Sequence, residues 1–143
     1  MSAKILVGVD GSEHAQRAVA WCAAHAVGLD AEVIVVHALE VASYVGYGPP
    51  YVWLTGPTPE QREAARDVAT REWCKPLADA GVAHRVVILD GDAAGALLET
   101  ARSENVDLVV TGRRGLGGFK ELVLGSTSHH LSHHLDRPLV IVP

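Results

Sequence analysis

Glycines and hydroxyl residues are concentrated in residues 112–128, directly after a short apolar segment that is rich in β-branched residues. Gly112 and Gly115 follow that segment, and Gly125 precedes three consecutive hydroxyl residues that suit the start of a helix. A glycine-rich loop brings backbone N–H groups close to a ligand, and a helix N-terminus adds a partial positive charge. The sequence therefore predicts an anion-binding site, and phosphate is the leading candidate for the anion.

Two common phosphate-binding motifs do not fit this segment. A P-loop needs a lysine between its last glycine and the hydroxyl residue, whereas Gly125 is followed directly by Ser126. A dinucleotide fingerprint that begins at Gly115 would need its third glycine at the position of Lys120. Both motifs are therefore excluded, and the spacing that remains is Gly112-x2-Gly115-x9-Gly125-Ser126.

Five apolar segments are typical of strands that are buried on both faces. They are residues 5–10, 32–38, 85–89, 107–111 and 139–142. Four segments with helical periodicity alternate with them. Strict alternation predicts an α/β fold, with an open, doubly wound, five-stranded parallel sheet and helices on both faces.

Helix boundaries can be predicted from capping residues. Ser12 is expected to cap the first helix and Gly28 to end it. A capping box that begins at Thr58 predicts the start of the second helix. That helix is expected to run to Gly81, with a kink in its last turn at Pro76.

Asp10 ends the first predicted strand. In open parallel sheets, ligands bind outside the carboxyl ends of the strands, at the point where the strand order reverses. We expect the order 3-2-1-4-5, in which the first and fourth strands are neighbours. The loops that begin at Asp10 and Gly112 would then line one crevice, so a ligand-binding role for Asp10 is favoured over the bracing of a turn.

The glycine spacing resembles the nucleotide-binding motif of the universal stress protein family. The resemblance covers essentially the whole chain, from the opening ILVGVDGSE, through a second strand that ends in His37-Ala38, to the closing RPLVIVP. In the nucleotide-binding branch of that family, the acid after the first strand and the backbone before it hold the adenosine half. The resemblance therefore implies that Gly8, Val9 and Asp10 hold adenosine.

The same resemblance implies that Ala38 borders the adenine. It also implies a set of residues that hold the phosphates, namely Gly112, Arg113, Gly115, Gly125, Ser126 and the backbone of Thr127. Arg113 and Arg114 place two cations beside this motif, and two positive charges favour phosphate. His37 is expected to be a histidine at the edge of the core.

The function expected from these residues is that of an ATP-binding regulatory or stress-response protein, with Mg²⁺ carried on the phosphates. Phosphoryl transfer needs a positioned metal ion and a group that orients the nucleophile. Near the motif, only Glu121 offers a carboxylate, so we expect binding and no catalytic residue. One alternative is a slow ATPase or phosphotransferase that is completed by residues 44–57 or by a partner. A second alternative is an interaction protein that binds no nucleotide.

Composition narrows the class of protein further. The 143 residues are 48% hydrophobic and 20% charged, which suits a single domain over residues 1–143. The net charge is −5 and the longest basic run is the pair Arg113-Arg114, so neither a nucleic-acid nor a membrane partner is expected. Cys22 and Cys74 lie in helical patterns, which favours buried, reduced thiols in a cytoplasmic protein.

Four histidines near the C-terminus invite a metal-binding interpretation. His129 with His133, and His130 with His134, form i,i+4 pairs that could each reach one zinc ion. The two pairs point about 100° apart around a helix, so one ion cannot use all four rings. Asp136 is the only acid nearby. A solvated or partner-facing helix surface is therefore the favoured interpretation, and no metal site is predicted.

The terminal strand, residues 139–142, lies at the sheet edge in the expected order. An apolar edge without a charge is usually covered or paired. Pairing of two copies about a two-fold axis would satisfy this edge, as the family resemblance also suggests. We therefore expect a homodimer, together with a downstream protein partner.

Overall fold

The computed structural model describes residues 2–39, 56–115 and 124–143. Its strands, in chain order, are β1 (Ala3–Gly8), β2 (Ala31–Leu39), β3 (His84–Asp90), β4 (Leu108–Gly112) and β5 (Leu139–Val142). Its helices are α1 (Glu13–His25), α2 (Pro59–Val68), a π-helical turn (Ala69–Trp73), α3 (Lys75–Asp79), α4 (Ala93–Ser103) and α5 (Ser126–His134). Residues 44–55, expected to complete a catalytic site in the ATPase alternative, and Glu121 lie outside the described residues.

The five strands form one sheet in the order β3-β2-β1-β4-β5, and every neighbouring pair is parallel. The predicted fold class and strand order are therefore confirmed. Successive side chains of a strand point to opposite faces, so Val7 packs beneath α1 and α3 while Leu6 packs beneath α4 and α5. Both side chains are fully buried. The sheet accordingly has a core on each face.

Two predicted helix starts are confirmed by their hydrogen bonds. The hydroxyl of Ser12 accepts a hydrogen bond from the N–H of Ala15 at 3.2 Å, which caps α1. Thr58 and Gln61 form the reciprocal capping box of α2: the Thr58 N–H donates to the Gln61 side chain at 2.8 Å, and the Gln61 N–H donates to the Thr58 hydroxyl at 3.2 Å. Local sequence therefore fixes where both helices begin.

The prediction that Gly28 ends the first helix is wrong. Helix α1 ends at His25, and the chain then turns through residues 26–30. The left-handed conformation in this turn is taken by Asp30, at φ 48°, rather than by a glycine. An aspartate tolerates this conformation because its short polar side chain can hydrogen-bond locally.

The prediction that Pro76 kinks a continuous helix is also wrong. The regular helix gives way earlier, to the π-helical turn, and Cys74 leaves the helical conformation at φ −88° and ψ 0°. Pro76 then lies in the first turn of α3, where a missing N–H costs little because that group has no intrahelical partner. Helix α3 ends at Asp79, two residues before Gly81, at which the helical segment was predicted to end. Gly81 itself has φ 69°.

Cys22 and Cys74 are fully buried free thiols, as expected from their helical patterns. Burial raises the pKa of Cys22 to about 12 and that of Cys74 to about 11. Both side chains therefore behave as small apolar groups of the core. Within the described ranges, no helix has the length and apolar character that crossing a membrane requires.

Candidate functional site

The loops after β1 and β4 meet at the carboxyl end of the sheet. Because Val7 of β1 pairs with Val110 of β4, the two chains leave the sheet side by side. A methyl group on Gly115 would lie 2.6 Å from Oδ2 of Asp10, well inside van der Waals contact. The missing side chain at position 115 therefore lets the Asp10 carboxylate approach the backbone of the glycine loop.

Asp10 braces its own turn and also faces the neighbouring loop. Its Oδ1 accepts a hydrogen bond from the N–H of Ser12 at 2.9 Å, and its side chain is half-buried. Its Oδ2 is the atom that approaches Gly115. The turn-bracing role considered for Asp10 is therefore present and uses Oδ1.

Gly112 is the point at which α1 packs on β4. A methyl group there would lie 2.6 Å from the backbone carbon of His14 and 2.7 Å from its carbonyl oxygen. Gly112 is itself buried. This glycine therefore keeps the first turn of α1 close to the end of β4.

Helix α5 begins against the same loop. The N–H of Gly125 donates to the carbonyl of Arg113 at 2.7 Å, and a methyl group on Gly125 would lie 3.0 Å from Cα of Arg114. The first N–H groups of an α-helix have no partner within the helix. In α5 these donors belong to Ser126, Thr127 and Ser128, so the positive end of the helix lies beside residues 113–115.

The N-cap of α5 differs from the expectation that hydroxyl residues cap this helix. Gly125 occupies the cap position, and the cap makes no side-chain hydrogen bond. The single hydroxyl hydrogen of Ser128 is instead shared between the carbonyl of Arg113, at 2.9 Å, and that of Gly125, at 3.2 Å. Ser128 thus ties the first turn of α5 to the end of β4.

Arg113 follows the end of β4 and joins it to β5 and to the start of α5 through its backbone. Its N–H donates to the carbonyl of Val142 at 2.7 Å, which extends the pairing of β4 and β5 by one residue. Its Nε is buried and, in the described part of the chain, has no hydrogen-bond partner. A donor of this kind suits an anionic group bound beside the loop.

The end of β2 brings an aromatic pair to the edge of the site. Nδ1 of His37 lies 2.9 Å from the carbonyl of Val9, and because a carbonyl can only accept, the ring donates from Nδ1. The His37 ring makes an edge contact with Trp73, at a centroid distance of 5.0 Å. A methyl group on Gly11, which has φ 83°, would lie 2.9 Å from Trp73 Cζ2. Trp73 thus packs over the turn that carries Asp10.

Trp73 is the residue near the site that the sequence did not single out. It lies in the π-helical turn, and no periodicity or motif connects this position with Gly11 or His37. Irregular helical turns are frequent at functional sites. The sequence gives no local signal of this role, because Ala69, Trp73 and Leu77 keep the i,i+4 spacing of a continuous helix.

Three of the remaining predicted residues have structural partners of their own. The N–H of Val9 donates to the carbonyl of Val36 at 2.9 Å, so this donor is already used within the sheet. A methyl group on Gly8 would lie 2.8 Å from Cδ1 of Leu97, so Gly8 makes room for α4. Ala38 lies one strand away, near the end of β2, and packs with the core beneath α4. The structure thus brings Asp10, Gly115 and Gly125 together, whereas the contacts given for Gly8, Val9 and Ala38 are with the sheet and α4.

The two ends of this site differ in chemistry. The Asp10 carboxylate accepts hydrogen bonds, so it suits the hydroxyl or amino groups of a ligand. The start of α5 and Arg113 offer donors and positive charge, which suit phosphate. The arrangement therefore favours a ligand that carries hydroxyl donors at one end and a negative charge at the other.

The model of the universal stress protein family matches residues 1–143. The chain therefore belongs to the universal stress protein family. It is 37% identical, over 139 residues, to the universal stress protein in the QAH/OAS sulfhydrylase 3'region of Thermus aquaticus, and the match covers 96% of each chain. It is 31% identical to universal stress protein YxiE of Bacillus subtilis, with 97% of each chain covered.

Solved structures of this family share the fold. Universal stress protein UspA from Lactobacillus plantarum matches with a TM-score of 0.79 at 20% identity, over 99% of this chain and 97% of that one. A universal stress protein in complex with cAMP matches with a TM-score of 0.68 at 24% identity, over 99% and 96%. The universal stress protein from Archaeoglobus fulgidus in complex with dAMP matches with a TM-score of 0.72 at 17% identity, over 99% and 98%.

Proposed function

We propose that residues 1–143 form a single domain that binds ATP and acts as a nucleotide-dependent regulatory module in a stress response. One observation carries this proposal: Asp10, Gly115 and Gly125, from three separate segments, pack against one another at the carboxyl edge of β1 and β4. Nucleotides bind at this edge in open parallel sheets. The fold relatives in complex with cAMP and dAMP support an adenine nucleotide.

In this proposal, each end of the nucleotide meets the chemistry that suits it. The phosphates lie against the first N–H groups of α5 and the Arg113 side chain, where positive charge is concentrated. The ribose lies near Asp10, whose carboxylate accepts hydrogen bonds from its hydroxyl groups. Ala38 borders the adenine, and Mg²⁺ arrives with the phosphates.

Binding without dedicated catalysis agrees with the groups around the site. Phosphoryl transfer requires carboxylates that hold Mg²⁺ and a group that orients the nucleophile. In the described residues, Asp10 is the acid that approaches the glycine loop, and one of its oxygens is bonded to the Ser12 N–H. We propose that the signal is nucleotide occupancy, with slow hydrolysis as the alternative. The free thiols of Cys22 and Cys74 support a reducing, cytoplasmic location.

Calorimetry on two variants tests the site. Asp10→Ala should weaken ATP and AMP binding alike by about 1–3 kcal/mol, the scale of a lost charge-assisted hydrogen bond. Gly125→Val should abolish ATP binding, because its side chain would meet the backbone of residues 113–115. Matched controls are Asp79→Ala, an exposed aspartate paired with Lys75, and Gly28→Val, where the nearest atom lies 3.7 Å away. Both controls should bind ATP as the parent protein does.

Three outcomes would change the assignment. Unchanged ATP affinity in Gly125→Val would show that Gly125 and the backbone beside it do not hold the phosphates. Intact binding but lost hydrolysis in Asp10→Ala would make Asp10 catalytic, so that the ATPase alternative replaces this proposal. A purified protein that neither binds ATP nor releases nucleotide on denaturation would be an interaction protein.

We also propose a homodimer through β5, which is the last strand in the sheet order. The carbonyls of Pro138 and Val142 accept hydrogen bonds from the β4 side. Hydrogen bonding alternates along a parallel strand, so the backbone groups of Leu139 and Ile141 face away from β4. These outward groups are the ones that a second copy would pair with.

A further inference from the structure

Helix α5 carries an exposed group of imidazoles outside the proposed nucleotide site. His129, His130, His133 and His134 are all exposed, and they pair across one helical turn. The rings of His129 and His133 have centroids 4.7 Å apart, and those of His130 and His134 have centroids 4.3 Å apart. The helix thus already holds each pair of rings side by side.

These separations match those of two imidazoles bound to one metal ion. A metal–nitrogen bond is about 2.0 Å long, which places each ring centre about 3.2 Å from the ion. Two rings at a right angle around the ion then have centroids about 4.5 Å apart, whereas a tetrahedral angle gives about 5.2 Å. The observed distances of 4.7 and 4.3 Å are near these values, so small rotations of the exposed rings bring one nitrogen of each onto a shared ion.

We propose that each pair, His129 with His133 and His130 with His134, is a two-ligand site for a divalent transition-metal ion, with Cu²⁺ preferred. Imidazole suits these ions, and affinities for such ligands peak at Cu²⁺. Among the described residues, no three metal-binding side chains are grouped around one point. Water therefore completes the coordination, and each site is exchangeable.

The two pairs act as separate sites. Adjacent residues point about 100° apart around a helix, so His129 and His130 cannot share one ion. The nearest acid in sequence, Asp136, is exposed and paired with Arg137 at 3.3 Å, which engages it elsewhere. Each ion is thus held by one pair of histidines. Once the first ring binds the ion, the second ring of the pair is present at a high effective concentration, because it belongs to the same chain.

The test compares two double variants that keep the same number of histidines. His129→Ala with His133→Ala leaves the pair at 130 and 134, whereas His133→Ala with His134→Ala leaves two adjacent rings that cannot chelate. CuSO₄ is titrated into each nucleotide-free protein by calorimetry, and the nitrogen ligands are counted by electron paramagnetic resonance. His25→Ala is the matched control, because His25 is an exposed helical histidine that stacks on Trp21.

We expect two Cu²⁺ ions per chain for the parent protein and for His25→Ala. The variant that keeps one pair should bind one ion with two nitrogen ligands. The variant without a pair should bind at least about tenfold more weakly, because the second bond is no longer intramolecular. Equal Cu²⁺ affinity in the two double variants would overturn the proposal. Equal melting temperatures of the metal-free double variants confirm that folding is not the cause.

Discussion

Gly112→Ala is expected to destabilise the fold by crowding α1 against β4. The new methyl group would lie 2.6, 2.7 and 2.8 Å from three atoms of His14, two of which belong to the backbone. Ordinary contact begins near 3.4 Å, so the first turn of α1 must move by about 0.8 Å. The backbone of a packed helix cannot shift by this distance, whereas a side chain could rotate away.

The size of the effect follows from two opposing contributions. Overpacking of a buried site costs about 1–3 kcal/mol, and a clash with backbone belongs at the upper end of that range. Replacing glycine with alanine stabilises by about 0.4–1 kcal/mol, because the unfolded chain loses freedom. Among the described glycines, Gly112 is not one with positive φ, so no conformational penalty is added. The net loss is about 2 kcal/mol, or about 7 °C in melting temperature for a domain of this size.

The assay is thermal unfolding of the nucleotide-free protein, followed by circular dichroism. Gly115→Ala is the matched control, because among the described residues its methyl group would meet the Asp10 side chain alone, with Oδ2 at 2.6 Å. A carboxylate can rotate away, so Gly115→Ala should change the melting temperature by less than about 2 °C. It should nevertheless weaken ATP binding by moving the Asp10 carboxylate.

An unchanged melting temperature in Gly112→Ala would refute this reasoning. It would mean that α1 moves freely relative to β4, and that the close approach of His14 does not position the site. Equal destabilisation by both variants would also contradict it, because the distinction between backbone and side-chain neighbours would then have no consequence.

Two further predictions concern the core and the sheet edge. Cys22 and Cys74 should not react with a thiol reagent at pH 8 in the folded protein, because burial raises their pKa values to about 12 and about 11, and both should react after unfolding. Fast reaction of either thiol without unfolding would contradict their burial. Light scattering of Ile141→Pro should show a folded monomer, because the N–H that residue 141 loses faces away from β4. Val140→Pro should unfold the protein, because the N–H that residue 140 loses belongs to the ladder with β4. A monomeric parent protein would remove the basis for the proposed dimer.

The sequence by itself determined the class of fold and much of its local detail. Strictly alternating apolar segments and helical patterns predicted the parallel sheet, and the hydroxyls of Ser12 and Thr58 predicted where α1 and α2 begin. The expected strand order predicted that the loops after β1 and β4 lie side by side at the carboxyl edge of the sheet. The strand, helix and capping features depend on residues within about four positions of one another, or on a period that strands and helices impose, and both are visible in a linear chain.

Only the tertiary structure decided what each glycine accommodates. Gly112 accommodates His14, Gly115 the Asp10 carboxylate and Gly8 the side chain of Leu97. The contact between Trp73 and His37 likewise joins a π-helical turn to the end of β2. The physical reason is that such contacts depend on how whole elements pack, and the same short glycine motif is compatible with many neighbours until packing selects one.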